Sequence, residues 1–361
     1  MGTLEPFIEE ILEAPPRPMG GLEIGRSRED LPIRGWRFGA GPAAVSLIAG
    51  CHADEPVGPE LLRRLCCWLG GLPDGHPLLA AWRWSLVPHV NPDGERRNAA
   101  WSGATRPLTD HRGAPDRGFD LAAYLAGAVR ELPGDDVEFG FPAAGGEPEG
   151  AGAESESDGP RPENRAVAGF LAEGAPYRLH ASLHGMGFAP GVWFLLEEAW
   201  EERTVALRRV LAERAREMGY PLLDVDRRGE KGFRRIAEGF STRPDSRAMR
   251  SFFDDRGDPA TAALFRPSSM ELVRSLGGDP LTVVSEMPLF LLALETRGGP
   301  PFRPGTEGGR RLRRWLDRQV AETGGDPGRM AGRGVRPMPI GDQMRLQLAL
   351  VDQALVAVSG G

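Results

Sequence analysis

Hydrophobic positions along the chain fall into two recurring patterns, short unbroken apolar runs and longer stretches with helical spacing, and the two alternate for most of its length. Residues 43–49 (AAVSLIA) form such a run and predict a buried strand, with Gly50 and Pro56 bracketing the turn beyond it. Pro59 to Leu69 has apolar residues at helical spacing; Pro59 suits a first turn and Gly70-Gly71 a stop. Residues 82–88 read as a second strand, followed by the turn-rich Asn91-Pro92-Asp93-Gly94. Further along, helices are predicted over 119–132, 162–173, 201–218, 309–322 and 342–358. A strand over 177–183 ends at His184-Gly185, and another over 281–286 carries Glu286 at its end. The alternation predicts an α/β class, and no internal repeat points to a solenoid.

Two stretches break the pattern. Residues 143–162 are rich in Gly, Pro, Ala, Ser and Glu with hardly any large apolar side chain, so they cannot bury enough surface to order themselves and are expected to be a mobile surface insertion. Residues 227–256 are dense in charge without a clear period and are expected to form long loops with short helices.

Composition narrows the class. At 361 residues and 40% hydrophobic content the chain can build one large α/β domain or two smaller ones. A net charge of -7 argues against nucleic acid as the main partner, since phosphate backbones need a dominant basic face. The acidic N-terminus, with Glu5, Glu9, Glu10 and Glu13, lacks the basic and apolar regions of a secretory signal. No run approaches the ~18 apolar residues of a membrane span. Cys51, Cys66 and Cys67 are odd in number with two adjacent, which disfavours a disulfide framework and points to a reducing cytoplasm; they read as small buried hydrophobes.

The candidate chemistry sits at the predicted strand ends, where open α/β sheets bind ligands. His52 and Glu55 stand three residues apart after the first strand, His184 after another and Glu286 after a third. Two histidines and a carboxylate form a common catalytic zinc set with a fourth position for water, whose pKa the ion lowers from 15.7 to about 7. Glu286 is then the candidate general base. His180 precedes His184 by four, but Ala181 stands where a helical zinc motif has glutamate, so His180 reads as a supporting or core residue. His89 reads the same way, whereas His76 and His111 fall in loops and Asn91 and Asp93 shape the turn.

Taken together, His52-x-x-Glu55, Pro88-x-x-Asn91-Pro92-Asp93-Gly94, Ser182-Leu183-His184-Gly185 and Ser285-Glu286-Met287-Pro288 resemble, in order and context, the zinc carboxypeptidase family over roughly residues 40 to 295. Pro162-Glu163-Asn164-Arg165-Ala166 resembles the family's helix start before the last histidine strand. The resemblance implies one three-layer α/β/α domain over residues 1–361 around a mixed, mostly parallel sheet, with a helical C-terminal tail from about 305. It also implies one zinc ion and hydrolysis of an amide bond. By motif it makes His52, Glu55 and His184 the zinc ligands and Glu286 the catalytic base. The family's carbonyl-polarising arginine follows the Asn-Pro-Asp-Gly turn; Arg97 is the nearest match, with Arg106, Arg112 and Arg117 as rivals.

Departures bear on the substrate. The family's Asn-Arg pair, which grips a peptide's free carboxylate, is matched either by Gly118-Phe119-Asp120-Leu121 with Ala122-Ala123, or by 136–142, where Glu138-Phe139 replaces it. Either way the arginine is missing, and no tyrosine lies between Tyr220 and Glu286 to cap a substrate. The expected substrate is a small peptide or a modified amino acid. Two alternatives stand beside this reading: a deacylase of the desuccinylase type acting on an N-acyl amino acid, and a non-catalytic zinc-containing binding protein. The basic residues between Arg227 and Arg250 could line the cleft and hold an acidic substrate, or form a solvated face balanced by neighbouring acids.

Overall fold

In a computed structural model of the chain, the described residues are 3–103, 108–143, 159–293 and 306–360. The strands are β1 (Leu22–Arg26), β2 (Pro32–Phe38), β3 (Ala43–Ala49), β4 (Trp82–Val87), β5 (Leu179–Ala189), β6 (Trp193–Leu196), β7 (Arg235–Ala237), β8 (Phe240–Thr242), β9 (Leu281–Leu292) and β10 (Val335–Pro337). They join one sheet in the order β1-β2-β4-β3-β5-β9-β6-β8-β7, with β10 paired to β9. The neighbours β4, β3, β5 and β9 run parallel at its centre, as do β6 and β8, while the other pairings are antiparallel.

The flanking helices include α1 (Val57–Gly71), α2 (Pro92–Ser102), α3 (Leu121–Gly127), α4 (Pro162–Gly174), α5 (Val205–Glu217), α6 (Ser246–Asp254), α7 (Ser269–Ser275), α8 (Thr306–Thr323) and α9 (Ile340–Ser359). Helices cover both faces of the sheet, which is why the central strands are unbroken apolar runs rather than alternating ones. Val45, Leu47, Leu179, Ala181 and Val283 pack on the face covered by α1, α5 and α9. Ala44, Ile48 and Val87 pack on the other, against α4 and α7. This is the mixed, layered α/β fold the sequence led us to expect.

The structure also departs from the sequence reading in ways that matter for function. β5 and β9 do not stop at His184 and Glu286: their ladder continues from Gly185 opposite Met287 to Ala189 opposite Leu291. Each strand supplies the other's partner, so neither Gly185 nor Pro288 ends the pairing. The helix expected over 119–132 ends at Gly127, because Asn98 on α2 captures the next turn of backbone: its Oδ1 accepts from Val129 N and its Nδ2 donates to Val129 O, both at 2.9 Å. Asn91-Pro92-Asp93-Gly94 opens α2, with the Asn91 side chain accepting from Gly94 N at the N-cap. The C-terminal segment expected as a helical tail includes β10, and α9 is largely buried against the core. Of the insertion expected at 143–162, residues 144–158 lie outside the described residues.

Candidate active site

β3 ends at Ala49, and Gly50, with φ +71°, turns the chain tightly against His89; a Cβ there would lie 2.5 Å from His89 Nδ1. His52 and Glu55 lie in the turn that follows, and His184 comes from β5, in register with Glu286 on β9. The Nδ1 atoms of His52 and His184 are 3.1 Å apart. Between them sits the Glu55 carboxylate, with Oε1 2.9 Å from His52 Nδ1 and Oε2 3.0 Å from His184 Nδ1. Gly185 N donates to Glu55 Oε2 at 3.1 Å and fixes its orientation.

The outer ring nitrogens are engaged separately. His184 Nε2 lies 2.8 Å from Ser182 Oγ and 3.1 Å from Glu138 Oε2, the latter within ion-pair distance but without hydrogen-bond geometry. His52 Nε2 lies 3.6 Å from Asp136. Carboxylates behind the far nitrogen are how ligating imidazoles are held and made more basic.

Charge balance supports a cation at this point. Burial and Arg130 oppose protonation of His52, yet Glu55 and Asp136 outweigh them and raise it to about 10. Burial opposes protonation of His184 too, but Glu138 and Glu55 raise it well above its ordinary value. Burial would raise Glu55, but His52, Arg130 and His184 hold it well below the usual carboxylate range. A field that favours a proton on each imidazole also favours a divalent ion, which would displace those protons on binding. One donor atom from each of His52, Glu55 and His184 lies within 4.8 Å of the others, so the donor set fits zinc. Cys51, Glu138 and His184 form a second group of three. Burial raises the Cys51 thiol to about 12, so the thiolate that a metal needs is disfavoured there.

Glu286 lines the same cleft of about 280 Å³ as His52 and His184. Burial, then the adjacent Glu55 charge, raises its carboxyl above the ordinary value, with His184, His52 and Arg130 pulling the other way. Arg97, chosen from the sequence, lies elsewhere: it sits on α2, bonded to Glu29 at 2.7 Å and 3.7 Å from Glu131. Arg112 and Arg117 are exposed, and Arg106 lies outside the described residues. Two arginines line the cleft, Arg130 and Arg227; the one beside the candidate ligands is Arg130, 2.9 Å from Glu55 Oε1 and 3.2 Å from Asp54 Oδ1. The sequence reading missed it because residue 130 was placed inside a helix over 119–132.

The loop after α3 carries Arg130, Asp136 and Glu138 to the site and is fastened at several points. Asn164 Nδ2 donates to Val137 O at 2.8 Å, and Arg161 both donates to Asp135 O and pairs with buried Glu163 at 2.8 Å. The motif at 162–166 thus anchors the loop, and of the two alignments for the missing pair it is 136–142 that faces the histidines, while Asp120 caps α3. Replacing Asn98 by alanine frees Val129 and is expected to lower stability by about 1–3 kcal/mol in urea unfolding, the range for a buried polar group left unpaired. His180 is a satisfied core residue between Ser46 Oγ and Ser269 Oγ, its pKa lowered by burial to about 3. His89 is also buried, accepting from Asn91 N. His76 and His111 are half-buried rather than free loop residues.

A family model described as zinc carboxypeptidase matches residues 4–189, just over half of the chain, including His52, Glu55 and His184. The chain belongs to the zinc carboxypeptidase family. Glu286 lies beyond the matched stretch of this family member. Similar solved structures include bovine thrombin-activatable fibrinolysis inhibitor in complex with tick carboxypeptidase inhibitor (16% identity, 99% of this chain and 96% of that one, TM-score 0.46). A metallo-carboxypeptidase from Burkholderia cenocepacia is 15% identical over 99% of this chain and 68% of its own, with TM-score 0.43. Murein-tripeptide amidase MpaA from Escherichia coli O157 is 17% identical over 77% and 86%, with TM-score 0.38. No curated protein matches this zinc carboxypeptidase family member by sequence. Among its described residues, no helix is long and apolar enough to cross a membrane.

Proposed function

We propose that the protein is a zinc-dependent hydrolase of an amide bond in a small peptide or modified amino acid, with His52, Glu55 and His184 as the ligands of one zinc ion. The observation that carries this is the meeting of both histidine Nδ1 atoms on the Glu55 carboxylate, with Glu286 in register beside His184. Bound there, zinc would supply Lewis acidity to the scissile carbonyl and acidify a water. Glu286 takes the proton of the attacking water and passes it to the leaving amine. Arg130 donates to the oxygen on which negative charge develops, the role first given to Arg97. Glu138 and Asp136 hold the two imidazoles from behind, so that the inner nitrogens stay directed at the ion.

Glu138-Phe139 in place of the family's Asn-Arg pair supports a substrate whose carboxylate is not gripped in the usual way. The same change favours the non-catalytic zinc-binding reading, but a structural zinc has no use for a base, and Glu286 is present with a raised pKa. The three free cysteines support a cytoplasmic setting. Elemental analysis after dialysis against zinc tests the centre: about one zinc per chain is expected in the wild type. His184→Ala and Glu55→Gln are expected to lower occupancy, and a wild type that holds no stoichiometric zinc defeats the reading.

A further inference from the structure

The Phe139 that replaces the family arginine begins an aromatic wall along the cleft. Its ring packs on Phe265 at 5.6 Å, Phe265 stacks on Phe253 at 5.3 Å, and Lys231 Nζ lies 5.1 Å from the Phe253 centroid. Arg227 lies at the same cleft, its guanidinium 4.5 Å over Phe233. Three cations of the basic stretch between Arg227 and Arg250 are neutralised by close acids: Arg234 pairs with Glu198 and Glu201, Arg235 with Asp224, and Arg243 with Glu197. Arg227 and Lys231, which both line the cleft, have no such close acid. The nearest carboxylate to Arg227 is 3.6 Å away, on Glu230, and its buried Nε has no hydrogen-bond partner. Among the described residues no carboxylate lies within 4 Å of Lys231 Nζ.

We propose that Arg227 and Lys231 form an anion-binding site at the end of this aromatic wall, taking a carboxylate on the leaving-group half of the amide substrate. The proposal rests on the hydrolase reading above and names the substrate class for it: an amide whose leaving half carries an acid. The physical case is one of loosely met charge. Two cations share an apolar recess, where burial and Arg227 lower the Lys231 pKa, and a carboxylate placed between them would relieve both. Apolar walls with a few convergent polar groups are the usual composition of a small-molecule site. The site also accounts for the loss of the family arginine, since recognition of negative charge is moved along the wall rather than abandoned.

The test uses three N-acetylated dipeptides, each with phenylalanine before the scissile bond, and zinc-loaded protein. The second residue is glutamine with a free C-terminus, glutamate as its C-terminal amide, or glutamine as its C-terminal amide. They carry a main-chain carboxylate, a side-chain carboxylate and none. Affinities are read by calorimetry on the zinc-loaded Glu286→Gln protein, so that binding is seen whether or not cleavage occurs, and kcat/KM on the wild type. At least one anionic peptide is expected to bind about 10- to 100-fold more tightly than the neutral one, the range of a charge-assisted contact; which one does so identifies the source of the carboxylate. Lys231→Gln and Arg227→Gln should each erase most of that preference through KM with little change in kcat, and Lys231→Arg should retain it. Equal affinities for all three peptides, failure of all to bind, or a preference that survives both glutamine variants overturns the anion site. Absence of turnover with the binding preference intact would instead defeat the hydrolase reading alone.

Discussion

Glu286→Gln is expected to lower kcat by about 10²- to 10⁴-fold, the range associated with a positioned general base, while zinc remains at wild-type occupancy. Glutamine keeps the shape and the hydrogen-bonding span of the side chain but cannot accept a proton from water. The residue is placed for that task by the β5–β9 register, which sets it beside His184, and by a cleft that leaves it only partly buried. Burial and Glu55 raise its carboxyl, which brings a base closer to the pH at which it works. Because none of the three candidate ligand atoms comes from Glu286, its loss should separate chemistry from metal binding. The measurement is steady-state turnover on the best of the peptides above together with elemental analysis of the same sample. Turnover within a factor of about ten of wild type would mean that another group moves the proton.

What could be read from the sequence divides along a physical line. His52 and Glu55 are fixed by a local event, a buried strand ending at a glycine that only a tight turn explains, and such events are written in a few adjacent residues. Glu286 and His184 were legible because each lies on an apolar run, although their strands were read as ending too early. The continuation depends on each strand having the other as its partner, and that is a long-range fact. Arg130 was not legible. Residues 121–128 (LAAYLAGA) are rich in good helix formers, so intrinsic preference argues for helix straight through the position. What ends the helix is the side chain of Asn98, roughly thirty residues earlier, taking both backbone groups of Val129. The same limit applied to Arg227 and Lys231. Their charge was visible in the stretch, but which of its cations would be neutralised depended on acids brought in from Glu197, Glu198, Glu201 and Asp224.

Arg130→Met is expected to reduce kcat by about 10²- to 10³-fold, as removal of an oxyanion donor does, whereas Arg97→Met should stay within about threefold of wild type, as expected for a surface side chain away from the site. The contrast follows from where the two guanidinium groups are. Arg97, on α2, is bonded to Glu29 and is not among the residues that line the cleft. Arg130 reaches the cleft from the loop that Asn98 and Asn164 hold, with 44% of its side chain open to solvent and so accessible to a substrate oxygen. Its contacts to Asp54 and Glu55 join it to the proposed ligand trio. With zinc engaging Glu55, that carboxylate would have less charge to share with Arg130, leaving the guanidinium freer to meet charge developing on the substrate. Arg130→Lys keeps the positive charge without the planar fork and should recover part of the loss. The partition between kcat and KM is the informative readout. An effect confined to KM would place Arg130 in ground-state binding, and a loss at Arg97 equal to that at Arg130 would return the role to the residue the sequence first suggested.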